Sequence, residues 1–208
     1  MKMMKRITIL ALFVAGCGGD GAVGLEQWPA EFGDAYCRRA FECCTAPEIA
    51  AIGLSTEAMC RDDFANIWSF LVPFLQNSIA VGRMRYDGSA AAACLDEMAR
   101  ASCVEFWQGN PSPSCAEVFV PLVAEGGSCG TGYDCTTTYC ASATQTCARL
   151  PGEGESCEYP CQLGLFCGPG RLCTLQKPDG EACTEAVECV SWICSNNMCG
   201  PPIECSGA

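Results

Sequence analysis

The chain contains no histidine among its 208 residues. That absence removes the Ser-His-Asp and Cys-His constellations and with them the commonest general base. Lysine is nearly as scarce, with Lys2, Lys5 and Lys177 the full set. A Ser–Lys mechanism in the processed chain would therefore rest on Lys177, which stands beside the turn-forming Pro178-Asp179-Gly180. No two cysteines are spaced as Cys-x-x-Cys, the close pair on which zinc ribbons and thioredoxin-like redox motifs depend. There is also no P-loop and no dinucleotide fingerprint. No metal and no cofactor is expected on these grounds.

What is present begins with an export signal. Lys2, Lys5 and Arg6 open the chain, an apolar stretch runs from Ile7 to Ala15, and the small pair Ala15-Gly16 precedes Cys17. The apolar stretch is far short of the roughly 20 residues needed to span a bilayer, so residues 1–16 read as a removable signal peptide. Val14-Ala15-Gly16-Cys17 resembles the bacterial lipobox. The resemblance implies cleavage before Cys17, diacylglycerol on its thiol and an acylated amine. Two or more acyl chains hold a protein on a membrane where one is marginal. Gly18 rather than aspartate follows the cysteine, which favours the outer membrane of a bacterial envelope by the sorting tendency of such lipoproteins. Residues 17–25, with Gly18, Gly19, Gly21 and Gly24, read as a short flexible tether.

Removal of residues 1–16 takes away three basic groups and no acidic one. The 12 Lys+Arg and 24 Asp+Glu then become 9 and 24, and the net charge moves from −12 to −15. No basic patch remains to neutralise a phosphate backbone, which excludes nucleic acid as a partner. Attachment to anionic lipid beyond the anchor itself is likewise disfavoured. The expected partners are the membrane, through the lipid, and a protein or glycan ligand at the cell surface, with cationic groups favoured by the acid excess.

Twenty-one cysteines dominate the composition. Setting Cys17 aside leaves an even number in an exported protein, which points to disulfides. The expected fold is small and disulfide-rich, an α-helical cysteine-bearing region followed by three tandem four-cysteine modules of loop and short β-structure. Residues 26–123 make the helical region. Pro29 suits a first turn, and Phe32, Tyr36, Ala40 and Cys44 share a face. A second helix is expected from Ser55 as N-cap, with Cys60, Phe64, Ile67, Trp68, Leu71 and Leu75 buried and an end or kink at Pro73. Asp87-Gly88-Ser89 opens a third that carries Ala92, Leu95, Met98 and Ala99 inward, with Cys94 and Cys103 near its ends. A short fourth holds Cys115, Phe119 and Leu122. The aromatic residues of this region read as core. Cys43 and Cys44, adjacent on a helix, should bridge to different partners.

Residues 124–208 lose the helical period and hold 13 cysteines and 12 glycines. Gly126-Gly-Ser-Cys129, Gly154-Glu-Ser-Cys157 and Gly180-Glu-Ala-Cys183 each open a unit, spanning about 126–150, 154–176 and 180–200. The units hold Cys129, Cys135, Cys140 and Cys147; Cys157, Cys161, Cys167 and Cys173; and Cys183, Cys189, Cys194 and Cys199. Four cysteines allow three connectivities, and spacing does not choose among them. The repeated G-x-x-C-x(3–5)-C-x(4–5)-C-x(4–6)-C pattern resembles the Dickkopf N-terminal cysteine-rich module and related EGF-like or EB-type arrays. The whole layout is similar to cysteine-rich lipoproteins of myxobacteria. That resemblance implies a scaffold and carries over no functional residue.

Parity adds a constraint. Cys37, Cys43, Cys44, Cys60, Cys94, Cys103 and Cys115 are seven, the rest thirteen, so complete pairing within the chain requires a bridge between the regions. Cys205 lies outside the units and is the natural donor, with Cys115 or another helical-region cysteine as partner. Candidate acids are Asp62-Asp63 and Asp96-Glu97 in the helices, and Asp134, Glu153, Glu155, Glu158, Asp179, Glu181, Glu185 and Glu188 among the repeats. Neighbours on a helix point apart, so the helical pairs read as solvated faces, and the repeat acids lack an EF-hand or RTX pattern for calcium. The favoured reading is a non-enzymatic interaction or adhesion scaffold; the alternative is an envelope enzyme or accessory factor using acids of the helical region. Cells fed a labelled fatty acid should label the wild-type protein and leave Cys17→Ser unlabelled; equal label in both would remove the lipid anchor.

Overall fold

The computed structural model describes residues 21–107, 113–158, 160–201 and 205, so the signal segment and Cys17 lie outside the described residues. Helix α1, Trp28–Cys43, has Pro29 in its first turn and buries Gly33, Cys37, Ala40 and Cys43. Phe32 and Tyr36, expected at the centre of the buried face, are only half-buried. Gly33 explains the rotation. A Cβ there would stand 3.2 Å from the Phe64 Cβ, so its lack of a side chain lets the third helix close on the backbone.

Helix α2, Ala46–Ala51, has no counterpart among the helices expected from sequence. It starts from a capping box in which the Thr45 amide donates to the Glu48 carboxylate at 2.6 Å. Helix α3, Glu57–Ala80, is capped by the Thr56 hydroxyl, which accepts from the Met59 amide at 3.1 Å; the expected cap, Ser55, lies one residue outside. The helix passes through Pro73 instead of ending there. Pro73 sits on the solvent side, where water can meet the carbonyl left without an amide partner. Ile67, expected in the core, is 57% exposed.

Strand β1, Met84–Tyr86, leads into helix α4, Gly88–Arg100. Its cap is Asp87, whose carboxylate accepts from the amides of Ser89 and Ala90 at 3.1 and 3.0 Å. Ala91 and Cys94 form its buried line, while Ala99, expected inward, is exposed. Cys94 lies mid-helix and Cys103 begins the short α5, Cys103–Trp107. After α6, Pro113–Ala116, comes strand β2, Phe119–Pro121, which pairs antiparallel with β1. Phe119 is therefore in a strand rather than the expected helix, and Leu122 is exposed.

Two apolar clusters hold this region. One gathers Val23, Trp28, Ala91, Cys94 and Val118, with Phe32, Trp68, Tyr86 and Phe119 packed on it. Phe119 stacks on Trp68 at 6.1 Å and meets Trp28 edge-on at 6.3 Å. The other gathers Cys43, Cys44, Ile49 and Cys205 with Phe41, Ile52, Leu54 and Trp107. Phe70 and Phe74, read from sequence as core, are instead 78% and 54% exposed.

Ten disulfides join the remaining cysteines. Cys37–Cys60, Cys43–Cys103 and Cys94–Cys115 close the helical region. The other segment bonds first cysteine to third and second to fourth, as Cys129–Cys140 with Cys135–Cys147, Cys157–Cys167 with Cys161–Cys173, and Cys183–Cys194 with Cys189–Cys199. Each crossed pair sits on a small antiparallel hairpin. The hairpins are β3 (Cys140–Ala141) with β4 (Thr146–Cys147), β5 (Leu165–Cys167) with β6 (Cys173–Leu175), and β7 (Cys194–Ser195) with β8 (Met198–Cys199). The same hydrogen bond precedes each of them. The amides of Gly126, Gly154 and Gly180 donate to the carbonyls of Cys147, Cys173 and Cys199 at 2.7, 2.8 and 2.7 Å. All three glycines have φ between +74° and +85°, a conformation that L side chains strain to adopt.

The bridge between regions is Cys44–Cys205, with a sequence separation of 161. Cys115, named from sequence as a possible partner, is already bonded to Cys94. Closing so long a loop stabilises by about 5 kcal/mol in the chain-entropy model. Non-reducing proteolysis cut within residues 148–153 should leave the fragments joined, and Cys44→Ser/Cys205→Ser should let them separate and lower the unfolding midpoint. Wild-type fragments that part without reductant would contradict this connectivity.

Candidate functional site

The chemistry-bearing side chains of the cysteine-rich half meet at its joints. Asp134 precedes Cys135 and is fully buried. Its carboxylate accepts from the amides of Gly130 and Thr131 at 2.7 and 3.3 Å and faces the Arg83 guanidinium at 3.7 Å. Burial acts to raise its pKa. The Ser78 hydroxyl, the two amides and the Arg83 charge outweigh that and hold it below the ordinary aspartate value. Arg83 lies between α3 and β1, so this contact joins the helices to the first cysteine-rich hairpin.

The equivalent residue before Cys189 is Glu188. It accepts from Lys177 Nζ and from the Thr184 hydroxyl and amide. The Lys177 hydrogen bond, then that of Thr184, brings its pKa down to about 2. Lys177 also donates to the Ala182 carbonyl at 2.8 Å, while its backbone pairs with Cys189. Glu155 is gripped by Arg149, with Nη1 to Oε2 at 2.7 Å, and accepts the Gly152 amide at 2.8 Å. Arg149 first, then that amide, lowers its pKa to about 2. These acids are committed to holding turns. Asp134 and Glu188, candidates by composition alone, share one signal: each directly precedes the second cysteine of its hairpin.

The other candidates are dispersed. Asp62, Asp63 and Asp96 are exposed on α3 and α4, while Glu97 accepts from the Ser114 hydroxyl at 2.8 Å. Sulfurs of Cys129, Cys135 and Cys147 lie within 4.8 Å of one another, as do those of Cys157, Cys161 and Cys173 and of Cys183, Cys189 and Cys194. Each belongs to a disulfide, and a metal ligand must be a thiolate, so the oxidised triplets offer no ligand set. Tyr86 donates its hydroxyl to the Val23 carbonyl at 2.9 Å, and burial, then the charges of Glu31 and Asp87, push its pKa up to about 12.

Exposed apolar side chains stand on the same hairpins. Leu163 is fully exposed and Trp192 is 55% exposed, with Leu175 and Val190 also in solvent. Thr138, Gly164 and Trp192 each lie three residues after the second cysteine of their hairpins, and all have positive φ. For Trp192, at φ 58°, this is an uncommon conformation that the flanking disulfides hold. A hollow of about 440 Å³ opens beside Cys44, lined by Phe41, Ile49, Ala50, Leu54 and Ser55. No known family, no curated protein and no solved structure matches the chain.

The low pKa values of Glu155 and Glu188 set a pH window. Each is depressed on folding, so its contribution is full above the unfolded value near 4.5 and is lost as pH falls toward 2. The thermal midpoint should fall between pH 5 and 2, and Glu155→Gln/Glu188→Gln should flatten that dependence. An unchanged slope in the double variant would show that these pairs do not couple to folding.

Proposed function

We propose that this is an exported, lipid-anchored bacterial envelope protein without enzymatic activity, whose three cysteine-rich hairpins form a tandem array serving as an interaction or adhesion scaffold. One observation carries the reading: sulfur fills the interior of each hairpin, and large apolar side chains are displayed outside. Leu163, Leu175, Val190 and Trp192 lie outside the buried clusters of these hairpins. Apolar groups on a rigid frame bind at low conformational cost, because the frame is already ordered. The surrounding acid excess of the mature chain suits a ligand with basic groups around an apolar contact. The lipobox-like Val14-Ala15-Gly16-Cys17 supports an envelope location, with the outer membrane favoured by Gly18.

The test immobilises the disulfide-intact ectodomain and passes envelope extract over it. A specific ligand should be retained by the wild type and reduced at least about tenfold by Leu163→Ser/Trp192→Ser, the loss expected when two exposed anchor residues are removed. Equal retention by both proteins would overturn the scaffold surface. Turnover of an ester, peptide or glycoside substrate that tracks the purified protein would overturn the non-enzymatic reading.

A further inference from the structure

Helix α3 carries a second apolar surface that the fold leaves uncovered. Ile67, Phe70, Phe74 and the C-cap Val81 recur at spacings of three, four and seven, so they share one edge of the helix, beside the buried line of Cys60, Leu75 and Ser78. Ile67, Phe70, Phe74 and Val81 are each more than half exposed. From Phe64 to Gly82 there is no Asp, Glu, Lys or Arg, although the mature chain is strongly acidic elsewhere. The helix does not meet the length and hydropathy of a membrane span. An exposed apolar strip without charge can enter the headgroup and acyl boundary of a bilayer, where binding scales with the apolar area buried.

The position of the N-terminus singles out that occupant. Cys37–Cys60, Gly33 against Phe64 and Phe32 against Trp68 show that α1 and α3 run antiparallel. From the Cys37–Cys60 bridge, α1 extends nine residues back to Trp28, about 14 Å, while α3 extends twenty forward to Ala80, about 30 Å. The last part of α3 thus projects past the start of α1, at the end where the chain enters the fold. Val23 is fixed at that end, its amide donating to the Gly88 carbonyl at 3.0 Å and its carbonyl accepting the Tyr86 hydroxyl at 2.9 Å. Only six residues separate Val23 from Cys17, a reach of at most about 21 Å. An acylated Cys17 would hold this end of the protein against the membrane.

We infer that the Ile67–Phe70–Phe74–Val81 stripe of α3 rests in the headgroup layer of the bilayer that holds the lipid anchor, a second membrane contact that fixes the protein's orientation. The inference rests on the lipid-anchor reading. The mature chain's net negative charge directs the stripe to zwitterionic phospholipid rather than anionic lipid.

The test uses the lipidated full-length protein in phosphatidylethanolamine/phosphatidylcholine vesicles that contain a photo-reactive phospholipid. Trypsin cuts after Arg61 and Arg83, so Asp62–Arg83 is released as one cysteine-free peptide carrying the whole stripe. Lipid adducts on that peptide, reduced at least about tenfold in Phe70→Glu/Phe74→Glu, are the expected result. The variant must keep the wild-type disulfide map, which its solvent-facing positions allow. An acylated Cys17 peptide without adducts on Asp62–Arg83 would leave the anchor standing and overturn the stripe contact. An unacylated Cys17 would show that the anchor reading itself had failed. Protein–protein crosslinks through Asp62–Arg83 in place of lipid adducts would assign the stripe to a second copy and overturn the proposal.

Discussion

Cys43 and Cys44 stand side by side at the end of α1, and the backbone changes there from helical to extended, with φ −110° and ψ 143° at Cys44. The change of conformation turns the two side chains apart. Cys43 then reaches Cys103 at the start of α5, and Cys44 reaches Cys205 near the chain's end. The second apolar cluster forms around this junction, and α2 with Ile49 packs against it. One short stretch thus joins the last turn of α1, the segment after α4 and the end of the cysteine-rich half. The helices alone bury few large side chains completely, so these covalent closures carry stability that a larger core would otherwise supply.

Using sulfur as interior material has a consequence for the outside. Among the described residues of the cysteine-rich half, the buried apolar positions are cysteines and Phe166. Each hairpin closes two loops of 10 to 12 residues, worth about 3 kcal/mol apiece in the chain-entropy model. Leucine, valine and tryptophan are then not needed inside and can stand in solvent without unfolding the unit. The same holds for α3, where the Cys37–Cys60 bridge and the aromatic contacts of Phe64 and Trp68 fix one face and leave the other free.

The helical region was legible in sequence where a local rule governed it. Pro29 marked the start of α1, and Asp87 with Ser89 marked the start of α4, because capping depends on a few adjacent residues. The paired strands β1 and β2 were not legible. Each has three residues and its partner lies more than thirty residues away, so neither shows alternation long enough to detect. Pro73 marks an end or kink in sequence, and the helix does not end there. A proline costs most where the orphaned carbonyl is buried, and which face of α3 would meet solvent was set by Gly33 and α1. Parity of the cysteines demanded a crossing bridge but could not select Cys44, since Cys115 satisfied the count equally well. Asp134 and Glu188 stand out in sequence only as candidate acids for calcium; their partners, Arg83 and Lys177, are not legible because they lie in segments that precede the hairpins.

Those partners explain how a chain with so few basic groups uses them. Of the nine that follow residue 16, Arg39, Arg61, Arg83, Arg85, Arg149 and Lys177 are in ion pairs. Three of these stand at successive joints: Arg83 ahead of the first hairpin, Arg149 ahead of the second and Lys177 ahead of the third. Each joint is also tied through the backbone. Val123 bridges Cys135, the Gln162 amide donates to the Pro151 carbonyl at 3.0 Å, and Lys177 bridges Cys189. Of the three acids, Asp134 alone is fully buried, and an exposed pair such as Arg149–Glu155 contributes little by itself. At each connection the ion pair adds to a short linking segment and a backbone hydrogen bond. Three of the nine cations thus stand at the connections, and the exposed surface of the cysteine-rich half is left mainly to acids and apolar side chains, with Arg171 among them. The cations at the connections and the acid-rich surface are two results of the same allocation of charge.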